Sequence, residues 1–304
     1  VGIYAQGTLE RGFANSLGQR NWFSRSSFNF DWSIHSHADK SVKCGYAGLE
    51  WNSQTLHSKF DNARKQLPVL QRTPKTIKPG HYRVYLGPSA VQELLSLLSW
   101  SSFSQKSIKT RQSPLLKLIT EEEQLDPRIT LHENTQSGIG PGFEASGFLK
   151  NDSVTLLKNG KFNSGLISPR TAKEYGCKTD GANASESPQS LHLEGGTIES
   201  DQYLAELDTG IYIPNLWYLN FSDHARCRMT GMTRFATLWI ENGKIEAPLN
   251  VMRFDESIYR ILGKNLLNLS KDREFILDAD TYHKRSTNSF LIPGLLVDNF
   301  NLTL

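Results

Sequence analysis

Several groups of residues in this chain carry side chains able to do chemistry. His35, His37 and Asp39 alternate along one stretch, and residues two apart in a strand share a face, so two imidazoles and a carboxylate could converge there on a metal ion. Phe28, Phe30, Trp32 and Ile34 occupy the opposite face of the same stretch, and a solvated polar face accounts for His35 and His37 without any metal. Asp223, His224 and Cys227 fall within one polar turn. A thiol beside an imidazole can ionise and attack a carbonyl carbon, but spacing in a turn does not fix that geometry, and a structural or solvent-facing role is the simpler reading. His132-Glu133 begins the zinc-peptidase pattern H-E-x-x-H, yet Gln136 stands where the second imidazole belongs. Gly138, Gly140 and Gly142 form a glycine-rich loop with no following Gly-Lys-Ser/Thr and no helix after it, which reads as a surface loop and not a phosphate cradle. Asp278, Asp280 and His283 read as a solvated turn.

The elements that must position these residues are mostly strands. Residues 1–52 alternate apolar with polar, the pattern of a half-buried sheet. Gln54 to Leu67 changes to helical spacing through Leu56, Phe60, Ala63 and Leu67, with Pro68 as its stop. His81 to Leu86 predicts a strand, and after Gly87-Pro88 the spacing of Val91, Leu94, Leu95 and Leu98 predicts a helix over Ser89 to Trp100. Arg128 to Glu133 predicts a short strand, and Asn159-Gly160 the turn of a hairpin. Phe235 to Glu241 and Lys244 to Val251 flank Asn242-Gly243, another hairpin turn, and Thr209 to Phe221 is expected to complete an antiparallel meander with an edge or bulge at Pro214. A helix capped by Asp255 is expected to run through Ile258, Ile261, Leu262 and Leu266, with closing strands at Phe275 to Leu277 and Phe290 to Val297. The fold class is α+β, a strand-rich mixed or antiparallel sheet domain with a few helices.

Composition narrows the partners. A chain of 304 residues with 38% apolar and 21% charged content has the profile of an ordinary soluble globular protein. Its 34 basic and 31 acidic residues balance to +3, which excludes a nucleic-acid footprint. The longest nearly apolar run, Phe290 to Val297, is broken by Pro293-Gly294 and is far too short to span a bilayer. Cys44, Cys177 and Cys227 form no C-x-x-C pair, which points to a reducing compartment such as the cytoplasm.

The order of these pieces resembles the TldD/PmbA family. Gly210, then Thr230-Gly231, Ala236, Ile240-Glu241-Asn242-Gly243, Ile245 and Pro248 follow the family's C-terminal strand and hairpin pattern. Pro79 to Leu98 resembles its strand, Gly-Pro turn and helix, Leu125 to Asn134 its next strand, and Ser289 to Phe300 its closing strand. By that resemblance residues 73–304 are the C-terminal domain and residues 1–72 the remainder of a preceding α+β domain, most of which would lie before Val1. The resemblance also implies a zinc helix of the form L-L-H-E-x-x-x-H in TldD-type members, a cysteine ligand near the C-terminus, and pairing with a PmbA-type subunit that lacks the metal, the complex cleaving unfolded peptides. With Leu94 and Leu95 on the two leucines, Ser96, Leu97 and Ser101 fall where His, Glu and His would sit. Tyr282 to Ser289 falls where the cysteine would. Hydroxyls ligate zinc poorly and a leucine takes no proton from a metal-bound water, so no cofactor is expected. The reading is a non-catalytic, PmbA-like subunit whose partner is a zinc-bearing relative or a second copy of itself. The alternatives are a zinc peptidase with unrecognised ligands, or a standalone peptide-binding or scaffolding module.

Overall fold

The computed structural model describes residues 1–36, 40–279 and 285–304. A long hairpin opens the chain. Strands β1 (Gly2–Ala14) and β2 (Arg20–His35) pair antiparallel from Gly2 opposite Trp32 to Ala14 opposite Arg20, and β3 (Ser41–Gly48) adds to β2 to complete a three-stranded sheet. The alternation read from the sequence holds: Phe28 and Trp32 are buried and join Tyr46 in an aromatic cluster against Phe60. Phe60 lies on helix α1 (Ser53–Leu70), whose first turn is capped by Asn52, its side chain accepting from the Thr55 N–H at 3.0 Å. The expected stop at Pro68 is wrong by two residues. The proline sits inside the last turn, where burial of Val69 and Leu70 offsets its missing N–H.

Next come β4 (Gly80–Leu86), α2 (Pro88–Leu98), the short helices α3 (Gln105–Lys109) and α4 (Leu116–Ile119), β5 (Leu131–Glu133), the hairpin β6 (Val154–Lys158) and β7 (Lys161–Phe162), α5 (Pro169–Tyr175) and β8 (Ser190–Leu193). The rest is mainly strand: α6 (Tyr203–Leu207), β9 (Gly210–Ile213), β10 (Leu216–Asp223), β11 (Arg228–Thr233), β12 (Leu238–Glu241), β13 (Lys244–Pro248), β14 (Arg253–Ser257), β15 (Leu266–Leu269), β16 (Glu274–Leu277), β17 (Ser289–Ile292) and β18 (Leu295–Leu302). Nine of these form one sheet in the order β10-β11-β14-β18-β4-β9-β12-β13, with β15 also on β18. Six form another, β16-β17-β8-β5-β6-β7. The class is α+β, rich in mixed and antiparallel sheet. Helix α2 lies in the main core, touching β4 and β10 of the larger sheet and β16 and β17 of the smaller.

Two expectations need correction. Thr209 to Phe221 is not one strand of a meander, because Pro214 divides it: β9 pairs with β12, while β10 pairs with β11 at the far end of the same sheet. Asp255 is not a helix cap. It sits in β14 opposite Thr230, where pairing with β11 overrides local helical spacing. Only a π-turn at Arg260–Lys264 follows, broken by the non-helical backbone of Gly263. Both Asn-Gly turns are as expected, with left-handed φ of 49° and 77° at Asn159-Gly160 and 51° and 71° at Asn242-Gly243.

Candidate functional site

Helix α2 divides cleanly into two faces. Val91, Leu94, Leu95 and Leu98 are each about 1% exposed and fill the main core, while Ser89, Gln92, Glu93 and Ser96, spaced three and four apart, form a polar stripe that lines a groove. Pro88 at the first helical position starts the helix directly after β4, so this stripe is held on a rigid element at the junction of the two large sheets.

The groove is three adjoining cavities of about 530, 200 and 920 Å³. The first and second share Gln92, Glu93 and Asp278 as walls; the second and third share Tyr46, Ala47, Glu274 and Phe275. Its middle runs between β3 and β16, each of which has, among the described residues, a strand neighbour on one side only, β2 and β17 respectively. Two sheet edges therefore face the same space with main-chain groups to offer. An ion pair between Lys59 of α1 and Glu274 of β16 ties the walls together. At the wide end Tyr85, Tyr203 and Tyr212 stack at centroid distances of 4.8–6.2 Å, and burial pushes all three phenols up, Tyr85 to about 12.

Charge is concentrated in the middle. Burial raises the Glu93 carboxyl, Lys43 pulls it back, and Asp278 raises it further. Burial pushes the Cys44 thiol to about 11, against the pull of Lys59, so Cys44 lines the cavity as an uncharged thiol.

The profile of the PmbA/TldA metallopeptidase C-terminal domain matches residues 79–304. The chain belongs to the PmbA/TldD family. No curated protein sequence matches it. Its fold is similar to that of TldE from Thermococcus kodakarensis, with a TM-score of 0.83 at 16% identity over 100% of this chain and 69% of that one. It is also similar to proteins described as proposed modulators of DNA gyrase. For the one from Thermotoga maritima the TM-score is 0.79 at 17% identity, over 99% of this chain and 68% of that one. For the one from Bacteroides thetaiotaomicron it is 0.75 at 19%, over 99% and 65%.

The metallopeptidase character of the family raises the question of zinc, and the residues in these positions do not fit it. Ser96 faces the groove, its hydroxyl accepting from the Gln92 amide at 2.9 Å. Leu97 points the other way, 3% exposed in the main core. Ser101 lies beyond the helix end at Ser99, its carbonyl accepting from the Ser104 N–H at 3.3 Å. Of the stretch expected to hold the family's cysteine, residues 282–284 lie outside the described residues, while Asn288 and Ser289 line the groove. Among the described residues no three His, Cys, Asp or Glu are grouped to hold a metal.

The remaining sequence candidates are scattered. His35 is exposed at the end of β2, opposite Ser41; His37, Asp39, Asp280 and His283 lie outside the described residues. Cys227 is fully buried and its thiol is pushed up to about 12, so it cannot ionise beside His224, whose ring packs edge-on against Phe221. Glu133 is a buried staple, accepting from the backbone N–H groups of Gln189 and Ser190. His132 bridges Thr155 and Glu194 across the sheet. Sequence reasoning missed Glu93, Asn215 and the paired edges of β3 and β16. The polar stripe on α2 was visible in the helical spacing; the edges depend on long-range pairing and were not.

Proposed function

We propose that this chain is a non-catalytic, PmbA-type subunit of a TldD-type metallopeptidase complex, supplying one wall of the chamber that receives unfolded peptides. The observation that carries this is the groove itself. Among the described residues β3 and β16 are edge strands beside a polar channel, and an extended peptide can pair with a sheet edge through its main chain whatever its sequence. The positions at which the resemblance sets the zinc helix offer two hydroxyls and a core leucine. In this reading residues 73–304 form the C-terminal domain and residues 1–72 the end of a preceding one. Assembly is with a zinc-bearing relative or with a second copy, and the three free cysteines suit the cytoplasm.

The test is reconstitution. The chain, a zinc-bearing relative from the same source, and their mixture are each given an unfolded protein such as reduced, alkylated casein. The proposal expects cleavage that needs the mixture or rises sharply in it, and co-elution of the two chains on gel filtration. Chelator-sensitive cleavage by this chain alone would sink the proposal.

A further inference from the structure

We propose that a recess beside the groove binds a small oxyanion between Arg25 and Arg285, either the carboxylate end of a peptide or free phosphate. The first source rests on the peptide reading above; the chemistry of the recess stands without it. Asn29 joins the two spaces, lining the middle of the groove and accepting from the Arg285 guanidinium at 3.0 Å.

The recess, of about 110 Å³, lies between the β1–β2 hairpin, the glycine-rich loop at Ile139 and the segment that leads from Arg285 into β17. Arg25 and Ser27 share one face of β2, as residues two apart must, and stand opposite Leu9 and Gly7 of β1. Gly7 is an independent sign of a ligand. It sits inside a regularly paired strand without a bulge, and a Cβ built on it would meet no atom within 4 Å. Glycine weakens a strand interior and marks places where a ligand or another backbone comes close; here no backbone does. Opposite residues of a pair project from the same face of the sheet, so the side chain that Gly7 lacks leaves room beside Ser27 and Arg25.

The charges on the walls agree. No carboxylate lines the recess, and neither arginine makes an ion pair among the described residues. Arg25 donates through Nη1 to the Gly138 carbonyl, and Arg285 through Nη1 to the Ser27 carbonyl at 2.8 Å and through Nη2 to Asn29. A guanidinium carries five N–H donors and no acceptor, so most of these donors are still unused. The Ser27 and Thr287 hydroxyls, also on the walls, have no hydrogen-bond partner among the described residues. Two acids stand one side chain away, Asp31 accepting from Asn29 at 2.9 Å and Asp278 from Ser286 at 3.1 Å. Burial pulls the Arg285 guanidinium below its ordinary range, with only Tyr4 acting the other way, as expected of a cation taken out of water with no anion beside it. A carboxylate or phosphate accepts two parallel N–H bonds from one guanidinium. A cation would be repelled by both arginines, and an apolar group would cover guanidiniums and hydroxyls without giving them partners.

The experiment uses ten-residue peptides of Gly, Ser and Ala with a fluorophore on the amino terminus, read by anisotropy. One ends in a free carboxylate and the other in a carboxamide. In parallel the Gly7 backbone amide resonance is followed as inorganic phosphate is added, with chloride at equal ionic strength as the control. The carboxylate peptide is expected to bind roughly tenfold more tightly than the carboxamide, the size of one charge-assisted contact. That advantage should disappear in Arg25→Gln, in Arg285→Gln and in Gly7→Leu, whose side chain would occupy the recess while both arginines stay. Gly7→Leu should unfold in urea no earlier than the wild type, so it decides the matter if an arginine variant fails to fold; an advantage that survives in folded Gly7→Leu would overturn the inference. Equal binding of the two peptides, with a Gly7 resonance that phosphate moves and chloride does not, would assign the site to a free anion. Equal binding with no such movement would overturn the inference and leave the peptide reading standing. If neither peptide binds, the peptide reading fails and phosphate alone decides. Movement in the wild type that is lost in Arg285→Gln would keep the oxyanion site, and no movement would overturn it as well.

Discussion

Replacing Leu97 by glutamate would put the family's catalytic carboxylate back at its expected place in the sequence, and the structure predicts that this damages the fold without restoring chemistry. Leu97 is 3% exposed and packed in the main core, on the face of α2 opposite the groove. Truncating such a leucine to alanine costs about 2–5 kcal/mol. Glutamate forfeits the same apolar contact and adds a carboxyl that must be buried neutral or unpaired, at about 1–3 kcal/mol more. The sum is a large share of the roughly 5–15 kcal/mol that holds a domain together. Urea unfolding followed by tryptophan fluorescence would measure it, with Leu97→Ala as the reference and Ser96→His, on the groove face, as the tolerated control. The expected order of midpoints is wild type close to Ser96→His, then Leu97→Ala, then Leu97→Glu. A Leu97→Glu midpoint equal to that of the wild type would mean that residue 97 faces the groove, and the account of α2 would be wrong.

Other perturbations address separate parts of the structure. Burial lowers the pKa of His192 to about 4, helped by Arg273 and His132. Its contribution to stability is therefore present above the unfolded-state value of about 6.5 and is lost as pH falls toward about 4; His192→Asn should flatten that part of the stability-against-pH curve, and an unchanged slope would refute the assignment. Gly160→Ala should cost much more than Gly243→Ala. Both have left-handed φ, but a Cβ at 160 would stand 2.4 Å from the Leu125 carbonyl oxygen, whereas at 243 the nearest atom is 3.4 Å away; equal midpoints would refute the difference. Iodoacetamide at neutral pH should modify the exposed Cys177 and spare Cys44 and Cys227, whose thiols are pushed up to about 11 and about 12. Mass spectrometry showing rapid native labelling of Cys227 would contradict its burial.

Local pattern was legible wherever neighbouring residues decide the outcome. The Asn-Gly turns, the alternation of Phe28 to Ile34 and the helical stripe of α2 all follow from side-chain period and backbone preference. What failed was set by distant partners. Asp255 read as the cap of a helix but pairs with Thr230 on β11. Pro214 read as an edge or bulge within one strand but divides it into β9 and β10, on opposite arms of a sheet. The site was half legible for the same reason. Ser96, Leu97 and Ser101 advertised their lack of zinc donors by residue type alone. The channel beside them exists only because β3, from the first sheet, and β16, from the last part of the chain, come to lie next to one another.

The most direct check on the central claim is the zinc content of the purified chain, measured by elemental analysis after exposure to excess zinc and removal of the loosely held ion by gel filtration. The account predicts far less than one zinc per chain and no peptide hydrolysis by the chain alone. One tightly retained zinc per chain, together with hydrolysis abolished by a chelator, would contradict it.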